Sequence, residues 1–182
     1  MENTIFDFIG GNSGEWKVRQ QQVLKGEPLE TVNYLKKNSS SLVQGNEGIW
    51  TLKGIVSNLR YTEKVEKEKL VAIQEDLGRP SATFATFIPL RKSADWWNLA
   101  QDERRKIMEE SSKHTQTGLK YLPAIARKLF HSRDIGQPFD FLTWFEYAPS
   151  DEEAFEELLF ALRNSEEWNY VDREVDIRLL RF

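Results

Sequence analysis

The stretch FDFLTWFEYAPSDEEAFEELLFAL, residues 139–162, decides the fold. Residues 139–147 are apolar at most positions on both faces of an extended chain, which is typical of a central β-strand. Ser150 follows, with Glu153 three residues later, the spacing of a capping box that begins a helix. The next apolar residues recur at helical spacing, namely Phe155, Leu158, Leu159 and Leu162. The stretch therefore predicts a buried strand followed by an amphipathic helix.

Upstream of this stretch the pattern predicts one strand and two helical regions. Residues 82–90 contain several β-branched and aromatic side chains, which favours a strand. Ser93 begins a helical region. A second helix is predicted from Asp102 to about His114, with Gly118 just beyond its end.

Residues 122–130 fit either a helix or a strand. Apolar residues at helical spacing are Leu122, Ile125, Ala126 and Leu129. A strand instead places Arg127 on the same face as Ile125 and Leu129. Because Pro123 disfavours a helix interior, we predict a strand.

Residues 171–182 complete the order of elements in the second half. Within them, residues 175–179 alternate as on a sheet with one face toward solvent. The second half then has the order strand, helix, strand, strand, helix, strand, which is that of a ferredoxin-like unit. The first half repeats this plan less completely, with strands over residues 15–24 and 47–60, a short helix from Pro28 to Lys36 and a helix from Glu63 to Leu77.

The predicted fold class is therefore α+β. Residues 1–80 form an N-terminal ferredoxin-like half that is truncated, and residues 81–182 form the C-terminal half. Two such sheets packed together would make an α+β barrel.

Composition removes several classes of chemistry. The 182 residues include no cysteine and two histidines, His114 and His131. The absence of cysteine excludes disulfides, iron–sulfur clusters, thiolate zinc sites and a cysteine nucleophile. Two histidines also exclude a metal centre built from several histidines of one chain. The site must rely on one or two histidines together with carboxylates, Arg or Lys.

Charge and hydropathy point to a cytoplasmic protein. The net charge of −4 gives no general attraction for nucleic acid. No stretch approaches 18 consecutive apolar residues, so we expect no membrane partner. The N-terminal residues lack the pattern of an export signal, and we expect a cytoplasmic location.

Three side chains are candidates for chemistry, each with a structural alternative. His114 suits an active site, but a histidine near a helix C-terminus is also favoured by the helix dipole alone. Arg127 on an apolar strand face needs an anionic partner, unless its head reaches water along a packed stem. Glu167 directly precedes Trp168, which can draw a neighbouring carboxylate toward the core. His131 is expected in a surface turn.

The motifs around these candidates closely resemble those of the chlorite dismutase family. The resemblance runs in order from Ser81 onward, over about half of the chain. It rests on RKSADWW (91–97), DERR (102–105), His114, YLPAIAR (121–127), FDFLTWFE (139–146) and the segment from Glu166 to Arg181.

The resemblance implies a fold, a cofactor and a reaction. It implies a dimeric α+β barrel of two ferredoxin-like halves, in the compact homodimeric branch of the family. It also implies one haem b per subunit in the C-terminal half. The expected reaction converts chlorite to chloride and dioxygen through a ferryl-type haem and transient hypochlorite.

The resemblance also implies roles for individual residues. His114 is the expected axial ligand to the iron, and Glu167 is expected to accept a hydrogen bond from its other nitrogen, with Lys92 near that carboxylate. Arg127 is the expected catalytic residue on the opposite, distal side. The remaining expected contacts are Trp96 on the proximal side, Leu129, Thr143 and Phe145 in the distal wall, and Gln74 near the distal arginine.

Two other activities and one non-enzymatic role remain as alternatives. A coproheme decarboxylase uses the same barrel but lacks the distal arginine, so Arg127 favours chlorite chemistry. A dye-decolourising peroxidase is disfavoured because its Gly-x-x-Asp-Gly signature is missing. No residue of the sequence excludes a non-enzymatic haem carrier or sensor.

Overall fold

The computed structural model describes residues 5–39, 48–56, 68 and 75–182. Eight strands lie in this part of the chain: β1 (Ile5–Gly11), β2 (Trp16–Lys25), β3 (Tyr34–Ser39), β4 (Trp50–Val56), β5 (Phe84–Lys92), β6 (Ala126–His131), β7 (Phe141–Tyr147) and β8 (Val171–Arg181). The helices with defined ends are α1 (Ala94–Asn98), α2 (Gln101–Arg105), α3 (His114–Leu119) and α4 (Glu152–Arg163). A π-helical turn, Lys106–Ser111, follows α2. No described helix is long and apolar enough to cross a membrane.

The strands form a closed barrel in the order β1-β3-β2-β8-β5-β7-β6-β4, with β4 returning to β1. Every neighbouring pair is antiparallel. Closure leaves no strand edge without a partner. The α+β class predicted from the sequence is confirmed, since helices pack against this barrel.

Each strand contributes apolar side chains to the barrel interior. Large aromatic residues fill much of it, including Phe8, Trp16, Phe87, Phe130 and Trp144. Phe8 stacks on Phe87 with ring centroids 4.6 Å apart.

A second apolar layer lies outside the barrel, between the strands and α4. The helix buries Phe155, Leu158, Leu159 and Leu162, as its spacing predicts. These side chains pack against the outward-facing residues of β5 and β7, among them Ile88, Phe145 and Tyr147. The site described below opens in this same outer layer.

The helix predicted from Pro28 to Lys36 is wrong. Tyr34–Ser39 is β3 instead, and residues 28–33 have no helical structure. Leu35 is completely buried in the barrel interior, opposite Gly10 of β1. Pairing with β1 therefore outweighs the local pattern.

The helix predicted from Asp102 to His114 is interrupted. The π-helical turn follows α2, and Lys113 then adopts a left-handed backbone with φ of 50°. A left-handed residue ends a helix, so α3 begins afresh at His114. His114 thus opens a helix rather than closing one, and Gly118 lies inside α3.

The capping box predicted at Ser150 is also absent. A 3₁₀ turn spans Pro149–Asp151, and α4 begins at Glu152. The cap residue Asp151 makes no side-chain capping hydrogen bond.

The solvent-facing side predicted for residues 175–179 is buried. Asp176 and Arg178 are covered by α4, where Arg163 donates to Asp176 at 2.8 Å and Arg178 pairs with Glu156. Charged partners on the helix allow these polar side chains to be buried.

The strand chosen for residues 122–130 is confirmed from Ala126 onward as β6. Most of the helix predicted from Glu63 to Leu77 lies outside the described residues, as does Gln74. Residues 75–77, at its predicted end, are not helical.

Candidate active site

A cleft opens on the outer face of the barrel. Its walls come from β5, β6 and β7, the π-helical turn, α3 and α4. Most lining side chains are apolar, including Ile88, Leu90, Met108, Leu129, Phe141, Phe145, Leu159 and Leu162. His114, Arg127, Glu167 and Lys92 are the principal polar residues among them.

His114 is held by a buried chain of hydrogen bonds. Its Nδ1 lies 2.8 Å from Oε2 of Glu167, and the Nζ of Lys92 donates to Oε1 of the same carboxylate at 2.8 Å. Glu167 and Lys92 are 4% and 3% exposed. Because a carboxylate only accepts hydrogen bonds, Nδ1 carries the proton and Nε2 carries the lone pair.

Electrostatics keep Glu167 ionised at this position. Burial raises the pKa of Glu167, but the hydrogen bonds from His114 and Lys92, together with the charge of Lys92, hold it below its ordinary value. Burial lowers the pKa of Lys92, and Glu167 opposes that effect. The chain therefore presents His114 with a fixed ring orientation and an electron-rich Nε2.

Arg127 reaches the same place from β6. It pairs with Phe145 in the sheet, and Leu129 pairs with Thr143, so these four side chains share one wall of the cleft. Its Nη1 lies 3.3 Å from Nε2 of His114 and donates to that lone pair. Burial lowers the pKa of Arg127, with Glu167 and Glu109 opposing, and the guanidinium stays charged.

Trp96 lies behind the hydrogen-bond chain. Its buried ring packs under the Nζ of Lys92 at 4.5 Å. It does not line the cleft, whereas its neighbour Trp97 does. Trp97 stacks on Phe141 and donates through Nε1 to Asp140 at 3.1 Å.

Sequence reasoning missed several cleft residues. His131 was expected in a surface turn, but it ends β6 and lines the cleft against Phe141, with ring centroids 5.2 Å apart. The two-residue period of β6 carries this information, since positions 127, 129 and 131 face one side. No short-range pattern marks Glu109 or Thr115, which also line the cleft.

The geometry around His114 suits its Nε2 atom as a single ligand to a metal ion. A single neutral imidazole backed by a carboxylate is a strong ligand with a set orientation. Within the part of the chain that the structure describes, no group of three or more His, Asp or Glu residues could hold a metal ion. Among the described residues, His114 would therefore hold an ion without the support of such a group.

The sequence profile of chlorite dismutase matches residues 28–180 of this chain. The chain belongs to the chlorite dismutase family. A curated chlorite dismutase from Ideonella dechloratans is 35% identical over 125 residues, which cover 66% of this chain and 41% of that protein. The matched region thus spans about two fifths of the length of this curated relative.

Two solved chlorite dismutase structures resemble the chain, one more strongly than the other. A dimeric chlorite dismutase from Nitrobacter winogradskyi has a TM-score of 0.91 and 51% identity, covering 97% of this chain and 99% of that one. A chlorite dismutase from Candidatus Nitrospira defluvii, in complex with imidazole, has a TM-score of 0.59 and 28% identity, covering 80% and 56%. The first similarity extends over the N-terminal half as well as the site.

Proposed function

We propose that this chain binds haem b, one per subunit, and decomposes chlorite to chloride and dioxygen. The observation that carries the proposal is the chain Lys92–Glu167–His114, which ends in an Nε2 lone pair inside an apolar cleft beside Arg127. Membership of the chlorite dismutase family supports the same reaction.

The donor set and the cleft fit a haem. Haem iron needs one protein ligand, because the porphyrin supplies four nitrogens, and a single histidine leaves the sixth position open. The lining of the cleft is mostly apolar, as a porphyrin face requires. Gly118, one turn after His114 in α3, is also uncrowded, because a Cβ added there would meet no heavy atom within 4 Å.

The reaction is balanced without external electrons or protons, since ClO₂⁻ becomes Cl⁻ and O₂. Bound haem iron supplies the redox chemistry that breaks Cl–O bonds and forms the O–O bond. Glu167 holds the Nδ1 proton of His114 and makes the imidazole a stronger donor. Lys92 keeps Glu167 ionised in its buried position.

Arg127 supplies the positive charge for the anion. Its guanidinium now donates to Nε2 of His114, so a ligand on that lone pair displaces it. The displaced group has five N–H donors for chlorite and for a chlorine oxyanion product. Leu129, Thr143 and Phe145 surround it with a mostly apolar wall, which excludes water and strengthens the attraction.

The proposal also includes two ferredoxin-like halves in each barrel and a homodimer of two chains. In residues 1–80 the sheet order is β4-β1-β3-β2, and in residues 81–182 it is β8-β5-β7-β6. Numbered within its own half, each sheet has the strand order fourth, first, third, second, which supports two ferredoxin-like halves.

The dimeric relative from Nitrobacter winogradskyi supports a homodimer, for which light scattering should give twice the 21.3 kDa chain mass. The cytoplasmic location stays a prediction.

Oxygen release from chlorite tests the function. Protein fully loaded with haem b should show a high-spin ferric spectrum and release one O₂ per chlorite on an oxygen electrode. His114→Ala should lose the axial ligation, while His131→Ala, at the other histidine of the chain, should keep it. Haem-loaded protein that releases no oxygen would contradict the proposed reaction.

A further inference from the structure

The π-helical turn Lys106–Ser111 packs beside His114 and has no role in the family assignment. It ends where the amide of Ser112 donates to the carbonyl of Ile107 at 2.9 Å. π-Helical turns are rare and concentrate at functional sites. Two side chains, Glu109 within the turn and Ser112 directly after it, bond to neighbours of His114.

Glu109 caps the helix that His114 begins. The first amides of a helix have no partner within it, and the cap residue Lys113 supplies no side-chain hydrogen bond. Glu109 supplies one from the preceding turn. Its Oε2 accepts from the amide of Thr115 at 3.3 Å, and its Oε1 accepts from the Thr115 hydroxyl at 2.8 Å. Both carboxylate oxygens thus hold the residue next to His114.

Ser112 fixes the carboxylate partner of His114. Its Oγ accepts a hydrogen bond from the amide of Glu167 at 2.9 Å. Glu167 lies at the start of a separate 3₁₀ turn, Glu166–Tyr170, so this bond joins two segments far apart in the chain. The π-helical turn and its cap residue Ser112 therefore bond to Glu167 and to Thr115, the residue next to His114.

We propose that Glu109 and Ser112 are positioning residues for His114, which hold its imidazole in line with Glu167. Their hydrogen bonds go to Thr115 and to the backbone of Glu167, and they act on His114 through these two residues. The π-helical geometry is what brings both side chains to this position. The inference rests on the proposed role of His114 as the haem ligand.

The chain offers a matched control beside each residue. Glu110 follows Glu109 and Ser111 precedes Ser112, and both controls are exposed. In haem-loaded protein, Glu109→Ala and Ser112→Ala should release haem to an acceptor globin about tenfold faster, as expected when an outer contact of a metal ligand is lost. They should also lower the iron–imidazole stretching frequency of the ferrous protein. Glu110→Ala and Ser111→Ala should match the wild type in both measurements.

Substitutions at Thr115 separate positioning from general stability. Thr115→Val keeps the shape but removes the hydroxyl that donates to Glu109, and should reproduce the Glu109→Ala frequency shift. Thr115→Ser should restore the wild-type frequency. The double variant Glu109→Ala with Thr115→Val should release haem no faster than Glu109→Ala alone, because the two groups form one contact.

Two results would overturn the inference. The first is that Glu109→Ala and Ser112→Ala each match the control variants in the rate of haem release and in the iron–imidazole stretching frequency. The other is an unchanged hydrogen-exchange rate for the Thr115 amide in haem-free Glu109→Ala. Wild-type protein that binds no haem would instead contradict the proposed function, while faster exchange at Thr115 would still support the cap.

Discussion

Arg127 combines a permanent charge with a position deep in an apolar wall. Arg127 lies on β6, lines the cleft and donates to the Nε2 lone pair of His114. Its neighbour Lys128 faces the opposite side of the strand, with Nζ 5.5 Å from the ring of Phe6. Two adjacent cations on one strand thus have different surroundings, and only the first reaches the site.

If the proposed function is correct, replacement of Arg127 should slow the decomposition of chlorite without removing the haem. Arg127→Ala removes a charge-assisted hydrogen bond to the anion, worth about 1.5–3 kcal/mol. We expect kcat/KM for chlorite to fall roughly 10- to 100-fold. A hypochlorite trap should also collect more oxidant, and the enzyme should be inactivated after fewer turnovers. Lys128→Ala is the control, and equal trapping by both variants would contradict this role.

Helix α4 carries the outer layer that forms one wall of the cleft. Leu158 is 4% exposed and packs against the strands, while Phe160 on the same helix is 72% exposed. Leu158→Ala should lower the free energy of unfolding by about 2–5 kcal/mol, because it leaves a cavity. Phe160→Ala should change it by only about 0.5 kcal/mol. Urea unfolding of both variants measures the difference, and similar losses would contradict the packing described.

Asp140 joins the start of β7 to β5 and α1. Its Oδ2 accepts from the amide of Lys92 at 2.7 Å and from Nε1 of Trp97 at 3.1 Å. Burial raises the pKa of Asp140, and these hydrogen bonds only partly oppose it. The folded state therefore holds this proton to higher pH than the unfolded state.

The sign of the pH effect follows from that difference. The stability contributed by Asp140 is fully present below the ordinary carboxyl pKa of 3.8 and is lost as pH rises through the folded value. Urea unfolding from pH 4 to 7 should show the stability of the wild type relative to Asp140→Asn falling as pH rises. Asp134→Asn, at an exposed residue of the same loop, should leave the pH dependence of the wild type unchanged. A flat difference between wild type and Asp140→Asn would contradict the prediction.

At the scale of the whole molecule, the pairing of β4 with β6 joins the two halves of the barrel. Among the described residues these strands pair at two positions, Ile55 with His131 and Val56 with Phe130. Gly54 precedes them, and a Cβ there would lie 2.6 Å from the Cβ of Phe130. Glycine at this position allows the two halves of the barrel to approach closely.

A larger residue at Gly54 should strain this closure. Gly54→Val should reduce the free energy of unfolding by about 1–3 kcal/mol, the usual cost of overpacking a filled core. Thermal unfolding measures the loss. Gly118→Ala, where an added Cβ meets no heavy atom within 4 Å, is the control. Equal melting temperatures for the two variants would contradict a tight seam between β4 and β6.

Local patterns predicted the elements that have strong periodicity of their own. The spacing of Phe155, Leu158, Leu159 and Leu162 predicted α4, and the apolar run 139–147 predicted β7. Pro123 and the position of Arg127 were enough to choose a strand for β6. The motif resemblance predicted the pair His114 and Glu167, which the structure brings to 2.8 Å.

Patterns failed where a distant partner decides the conformation. β1 was not predicted, and β3 was taken for a helix, because both depend on pairing with each other. The break at Lys113 was also missed, since no Gly or Pro marks it.

The sequence by itself determined the strands of the second half, helix α4, the absence of cysteine and the two histidines, and the candidate residues for chemistry. Side-chain periodicity and residue type are properties of short segments, so they can be read directly. Only the tertiary structure decided that His114 begins a helix, that Tyr34–Ser39 is a strand and that Glu109 and Ser112 bond to Thr115 and Glu167. These features depend on hydrogen bonds and strand pairs between segments that the folded barrel brings together, and no local pattern encodes them.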